Sequence, residues 1–267
     1  MTRMLYLALM IFSISSYALD FSEYDPYSFN ENYRRGEIVS ESNHLWVARL
    51  PGRGHPPAKS RFHWVRVDIG HPEPWRSGRF YVLGKVVSFG NQFYLAKGVG
   101  FAQPDSGRDC CQWQVFTHPG IGTDLPLVDS DDAKQGLEGI DSNFNGIRDD
   151  YEVAVVMESP SEAVRQAGLG AASAYKQMVS MATSADSEVT PVAAAELVDE
   201  LLTVSACFRS LAGEHQGVSG FQHRYFNTFE RMEAYLEAES RLYQALGDDY
   251  QPVLVDLPCQ QMSPVEE

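Results

Sequence analysis

Positive charge is scarce in this chain: 21 Lys and Arg stand against 36 Asp and Glu, a formal net charge of −15. Neutralising a phosphate backbone or an anionic surface needs Lys and Arg on the protein side, so this balance argues against nucleic acid as a partner of the whole molecule. Cysteine is equally sparse, four residues in 267, which excludes a miniprotein built on a disulfide framework. No CxxC pair is present to favour a zinc site. There is no internal repeat, no low-complexity tract, and no apolar run approaching the roughly 20 residues a bilayer crossing requires. With 44% apolar residues, one or two packed globular domains remain.

The first residues read as a targeting segment. Met1-Thr2-Arg3 is a short positive start, Met4 to Ser15 is apolar and small, and Ser16-Tyr17-Ala18 offers small side chains at the positions a signal peptidase reads. Residues 1–18 are therefore expected to be a cleaved signal peptide, with a mature chain from Leu19 that is periplasmic or extracellular and has no transmembrane segment. Disulfides persist in such compartments, and Cys110, Cys111, Cys207 and Cys259 allow three pairings. One ties Cys207 to Cys259 and leaves Cys110 and Cys111 as a vicinal bridge or two thiols; the others cross between the halves of the chain. We expect Cys207–Cys259, because a tail with little helix propensity needs an anchor.

Charge and composition divide the chain in two. Residues 19–119 carry 12 basic and 10 acidic residues, whereas 120–267 carry 8 and 26, nets of +2 and −18. All four Trp and five of the seven His lie in the first half. That half reads as β: His44 to Leu50, Arg61 to Ile69, Arg79 to Val87, Gln92 to Val99 and Cys111 to Thr117 are aromatic and β-branched runs between turn clusters. Five antiparallel strands suit a small barrel or meander, with an OB-like barrel as one member of that class. In Arg61 to Ile69 the alternation slips out of phase, which suggests a bulge or burial on both faces.

The second half reads as helical. Ser159-Pro160-Ser161-Glu162 offers a cap, a proline at the first turn and a glutamate three residues on, predicting a helix from Pro160 to about Thr183. Thr190-Pro191 repeats the signal for a helix carrying Leu197, Leu201, Leu202, Val204 and Phe208 into Leu211. A third is expected from Phe221 to Leu246, with Tyr225, Phe229, Met232, Leu236 and Tyr243 as a core stripe. The fold class is thus α+β: a β-rich domain at 19–119, a linker at 120–135, a junction at 136–158, a helical domain at 159–250 and a tail at 251–267. The opposite charges of the halves suggest that they attract one another.

The junction holds the motif with most chemical content, Asp141-Ser142-Asn143-Phe144-Asn145-Gly146-Ile147-Arg148-Asp149-Asp150-Tyr151-Glu152. Calcium takes six to eight oxygens, and a twelve-residue loop supplies them from positions 1, 3, 5, 7, 9 and 12. Those are Asp141, Asn143, Asn145, the Ile147 carbonyl, Asp149 and Glu152, with Gly146 at the sharp turn. The competing explanation is an acidic turn that starts a helix. The pattern resembles the single EF-hand-like and thrombospondin type 3-like calcium loops of secreted proteins, including those of Gram-negative bacteria. It departs from paired EF-hands in its glycine-containing approach, Gly136 to Ile140, and in placing the apolar residue at position 7. The resemblance implies a Ca2+ ion that orders a junction, with three carboxylates and hence weak affinity, and it carries no reaction.

Other constellations carry less. His55, His63 and His71 recur at a spacing of eight without a carboxylate partner in the pattern, and no nucleophile elbow or phosphate-binding loop is present. Basic and aromatic residues interleave at Arg61, Trp64, Arg66, Trp75, Arg79 and Tyr81, a candidate face for a protein or glycan ligand. The competing explanation is that this face docks against the acidic helical half, or simply points charge outward around a barrel. The sequence reads best as a secreted calcium-binding interaction module with a structural ion; the alternative is a secreted hydrolase with its active site in the β-domain.

Overall fold

The computed structural model describes residues 24–105, 112–128, 132–159, 161–183, 189–212, 220–247, 250–253 and 256–261. The expected signal peptide and the Cys110–Cys111 question lie outside them. The fold is α+β, with strands in the first half and helices in the second.

Seven strands form two sheets, and among the described residues neither closes into a barrel. The first holds β1 (Ile38–Glu41), β2 (His44–Ala48) and β3 (Trp64–Arg66) in that order, all antiparallel. The second holds β4 (Asp68–Pro74), β5 (Lys85–Phe89), β6 (Gln92–Ala96) and β7 (Trp113–Phe116). Here β4 runs parallel to β5, against the antiparallel expectation, and the other pairs are antiparallel. The run Arg61 to Ile69 is not one strand with a bulge. Its first part joins β2, the chain then passes through buried Val67, and Asp68 starts the other sheet opposite Lys85, whose Nζ donates to its carboxylate at 2.7 Å. The phase slip in the pattern is this change of sheet.

The helices are α1 (Asp149–Glu158), α2 (Glu162–Thr183), α3 (Pro191–Ala212), α4 (Gln222–Tyr225), α5 (Phe229–Leu246) and α6 (Pro258–Gln261). The start of α2 is shifted from the predicted cap: the Ser161 hydroxyl accepts from Val164 N, whereas Ser159 turns back to the Val155 carbonyl and ends α1. At α3 the predicted cap is in place, with Thr190 Oγ1 accepting from Ala193 N at 3.3 Å. The predicted third helix is broken. Its chain stops at Tyr225 and restarts where Thr228 Oγ1 accepts from Arg231 N, so a side-chain cap competes with helix continuation. This changes the face that α5 buries. Arg231, Ala234, Ala238 and Leu242 point inward, while Phe229, Met232, Leu236 and Tyr243 of the expected core stripe are exposed. Cys207, buried in α3, is bonded to Cys259 in α6, as expected, pinning the tail to the helical core. No described helix is long and apolar enough to cross a membrane.

Helix α1 joins the halves. It is buried from Asp149 to Val156, its acidic residues Asp149, Asp150 and Glu152 being hydrogen-bonded there. Tyr151 and Val155 enter the helical core, and Val153 and Val156 complete a β-side cluster with Leu45, Val67, Val86 and Leu95. Tyr151 donates its hydroxyl to the Gly168 carbonyl at 2.6 Å, and α2 comes so close that a Cβ on Gly168 would lie 2.5 Å from Val155 Cγ1. Among the described residues no ion pair joins a residue before 120 to one after it. Among the described residues the halves meet through apolar burial around α1, and Arg165 of α2 donates to the Pro119 carbonyl at 3.1 Å.

Candidate functional site

The loop that enters α1 folds back on itself through its own side chains. Asp141 accepts from two backbone amides, Asn145 N at 3.2 Å and Gly146 N at 2.8 Å. Gly146 has a φ of +83°, a region open to glycine at no steric cost, and this turn brings the chain back toward Asp141. Asn145 Oδ1 accepts from Ile147 N, and Asn143 Oδ1 accepts from Asn145 N. Both amide groups then reach one atom: Asn143 Nδ2 and Asn145 Nδ2 each donate to Glu152 Oε2 at 3.1 Å. Asp149 instead receives Ser142 N at 3.0 Å, clamping the start of the loop to the first turn of α1. Phe144 stands at the tip with φ +59° and is 89% exposed.

The electrostatics follow from this convergence. Burial pushes the Glu152 carboxyl above its ordinary value, the bonds from Asn145 and Asn143 oppose that, and the charges of Asp149 and Asp141 push it further up. Two amide groups standing against one carboxylate supply partial positive charge where the neighbouring carboxylates repel. Half-turns of the two amides would exchange nitrogen for oxygen and present both oxygens in front of Glu152. That donor chemistry suits a hard cation such as calcium. Among the described residues, however, no group of three or more His, Cys, Asp or Glu side chains is placed to hold a metal ion. The loop brings together Asp141, Asn143, Asn145 and Glu152, while Asp149 is engaged by Ser142 and Ile147 is buried in the helical core.

Beneath the loop lies a buried charge cluster that the sequence did not reveal. Arg148, Asp150 and Arg231 are all within 3% of fully buried. Arg148 Nε donates to Asp150 Oδ1, and Arg231 Nη1 donates to Asp150 Oδ2 at 3.4 Å. Arg148 also donates to the Tyr225 carbonyl at 2.7 Å and lies over the Tyr225 ring, while Arg231 reaches the Gly136 carbonyl and Asn227. Two guanidinium groups share one carboxylate, and Arg148 Nη1 and Arg231 Nη2 are buried without a partner. Charges so far from water persist only when paired and hydrogen-bonded. The cluster fixes loop positions 8 and 10 to α4 and α5. Only the spacing of Arg148 and Asp150 was available as a signal, and their distant partner Arg231 carries no local mark.

The candidate ligand face is not assembled. Trp64 is buried with Tyr33 and Trp46 under the first sheet, and Tyr81 is buried with Tyr94 and Trp113 under the second, so neither presents a ring to a ligand. Trp75 is half-buried in the second cluster. Arg61, Arg66 and Arg79 are exposed, with Arg66 donating toward His44 and Arg79 paired with Glu73 at 2.7 Å. Cations pointing outward over an aromatic interior describe these residues better. Elsewhere in the β half, Ser60 Oγ and His63 Nδ1 lie 2.9 Å apart and the His63 ring stacks on His55. This contact spans a local turn, and no described carboxylate is bonded to His63 to orient it as a base.

Neither protein-family models nor curated proteins give a match to the chain. The functional reading therefore rests on the chemistry of these residues.

Proposed function

We propose that the chain is a secreted or periplasmic binding module whose junction loop takes one calcium ion as a structural element. The observation that carries this reading is the convergence of Asn143 and Asn145 on Glu152, closed by the bonds from Asn145 N and Gly146 N to Asp141. Asp141, Asn143, Asn145 and Glu152 would hold the ion, with the Ile147 carbonyl and Asp149 as the remaining donors of the twelve-residue pattern. The ion would supply charge neutralisation at the entrance of α1 and no reaction chemistry. The compartment is supported by the apolar N-terminal segment and by the Cys207–Cys259 bond, since such bonds persist where the surroundings are oxidising.

Calorimetric titration of chelator-treated protein tests the reading. Calcium at about 100 times its dissociation constant should stabilise the fold by roughly 2.7 kcal/mol. Glu152→Ala should abolish most of that shift. Ser142→Ala should leave it, because Ser142 contributes its backbone N–H and not its side chain. Absence of binding at millimolar calcium would reduce the loop to an acidic start for α1.

A further inference from the structure

A twelve-residue calcium loop of the EF-hand kind is held at both ends by helices. Here only the exit is helical: residues 135–140, which lead into the loop, form no helix. Something else has to fix the incoming chain. Its last residue meets α1 through one backbone bond, Asp149 N donating to the Ile140 carbonyl at 2.8 Å. Further back, the Gly136 carbonyl accepts from Arg231 Nε at 3.1 Å. Arg231 belongs to α5 and is fully buried. Its other arm crosses to the exit of the loop, where Nη1 donates to Asp150 Oδ2 at 3.4 Å. One planar guanidinium therefore touches both ends of the loop.

Charge neutralisation does not account for this arginine. Asp150 already holds Arg148 Nε and Tyr151 N on Oδ1, and Asn227 Nδ2 on Oδ2 at 2.9 Å. Arg231 brings a second buried cation to a carboxylate that one cation balances, and burying a charge without its own counter-ion opposes folding. The surplus arginine is also the one bonded to the approach, since Arg148 gives its Nη2 to the carbonyls of Arg224 and Tyr225. The glycines that spoil an incoming helix fit the same contact. A Cβ on Gly139 would collide with Cγ and Cδ of Arg148 and lie 3.0 Å from Arg231 Nη2. Gly139 has a φ of +69°, so the backbone of the approach rests on the two side chains in a conformation that suits glycine.

We propose that Arg231 is the positioning residue of the junction loop, replacing the missing incoming helix by clamping the approach at Gly136 and the exit at Asp150 to α5. Its effect on the ion rests on the calcium reading above: with the clamp gone, the ion itself would have to order the approach. The clamp is read without the ion, so the two fail separately.

The full, disulfide-bonded protein is digested briefly with chymotrypsin in chelator. Cleavage after Phe144, 89% exposed at the loop tip, is measured against cleavage after Phe62, 70% exposed in the β half. Cleavage of a folded chain follows local opening. Arg231→Met leaves the neutral Arg148–Asp150 pair, and in it the Phe144-to-Phe62 ratio should rise about fivefold or more. Its calcium dissociation constant should rise about tenfold or more, as when groups behind metal ligands are lost. Arg231→Lys keeps the charge without the planar fork and should resemble Arg231→Met. Arg224→Met, which removes the ion pair of α4 with Glu158 on α1, should change neither readout. If Arg231→Met does not fold, Gly139→Ala disturbs the same contact from the other side and should raise the ratio in the same direction. An unchanged ratio in the folded variants overturns the proposal, as does an equal rise in Arg224→Met or wild-type protection in Arg231→Lys. Wild-type calcium affinity beside a raised ratio overturns it too. A raised ratio in a protein that binds no calcium at millimolar concentration sustains the clamp and overturns only the calcium reading.

Discussion

The two halves solve the problem of burying apolar surface in different ways. The helical half has one contiguous core running through α1, α2, α3 and α5, stapled by Cys207–Cys259. The β half divides its core into three clusters: Tyr33, Trp46 and Trp64 by the first sheet, Tyr81, Tyr94 and Trp113 by the second, and a middle cluster between them. Side chains on a strand alternate between faces, so each sheet buries some residues on either side and aromatic residues close the small outer clusters. The middle cluster includes Val153 and Val156 of α1. The composition boundary near residue 119 and the packing boundary therefore differ, and the packing boundary runs through α1, which contributes to both cores.

That comparison is open to attack from the junction outward, and the placement of all four Trp in the β half gives a probe for each side. Trp emission reports the β half, and the far-ultraviolet helix signal reports the other. The largest effect is expected from Asp150→Ala, which leaves Arg148 and Arg231 buried together without their carboxylate. Removing one partner of a buried charge group costs about 3–5 kcal/mol, and both probes should shift to a lower melting temperature together. Separate transitions would mean that α1 does not couple the halves.

Opening the staple removes a constraint on the helical side, and through α1 both probes should report the loss. The Cys207–Cys259 bond closes a span of 52 residues, for which the chain-entropy account gives about 4 kcal/mol. In Cys259→Ser both signals should melt several degrees earlier, and a free-thiol assay on the wild type should show no reaction at Cys207 before denaturation.

Acid should act first on the other side. Burial, reinforced by the field of His44, lowers His118 to about 4, and its Nδ1 accepts from Gly120 N at 3.0 Å in the neutral form. An unfolded histidine titrates near 6.5. Between those values the unfolded chain binds more protons, so the contribution is complete above about pH 6.5 and is lost as pH falls toward 4. It amounts to at most about 3 kcal/mol. Burial lowers His44 as well, adding to the same trend. Unfolding monitored by Trp emission should therefore weaken through this window, and His118→Phe should flatten the slope.

The smallest effect is local. Gly168→Ala places a methyl group within 2.5 Å of Val155 and 2.9 Å of Phe221, an overpacking that costs about 1–3 kcal/mol. Its loss of stability, measured by denaturant unfolding, should appear without a change in the calcium titration.

Much of this arrangement was legible where local chemistry decides it. Composition gave the order of strands before helices, Thr190-Pro191 marked the start of α3, and the compartment argument led to Cys207–Cys259. The misreadings came where distant partners decide. The phase slip in Arg61 to Ile69 is the one trace that Trp64 and Ile69 belong to different sheets, and it reads equally as a bulge; β4 also contains Pro72 and Pro74, which argue against a strand with a paired neighbour. The stripe on α5 has the spacing of a core face, yet Thr228 restarts the helix and Arg231 turns inward to Asp150. At the loop, the donor residues were readable from spacing, whereas the buried arginines beneath it were not. The run Val153 to Val156, four apolar residues in succession, was the available sign that the exiting helix would be internal.

The burial of α1 also sets an order for synthesis and a rule for cutting the chain. Residues 24–128 leave the ribosome before Val153 and Val156, so the β half spends that interval with an open apolar slot in its middle cluster. Fragments ending at the composition boundary inherit that slot permanently and are exposed to aggregation. A cut in the connection after Glu158 keeps α1 with the strands but strips Tyr151 and Val155 of their helical neighbours. The chain can be divided at neither place without leaving one face of the same ten-residue helix bare.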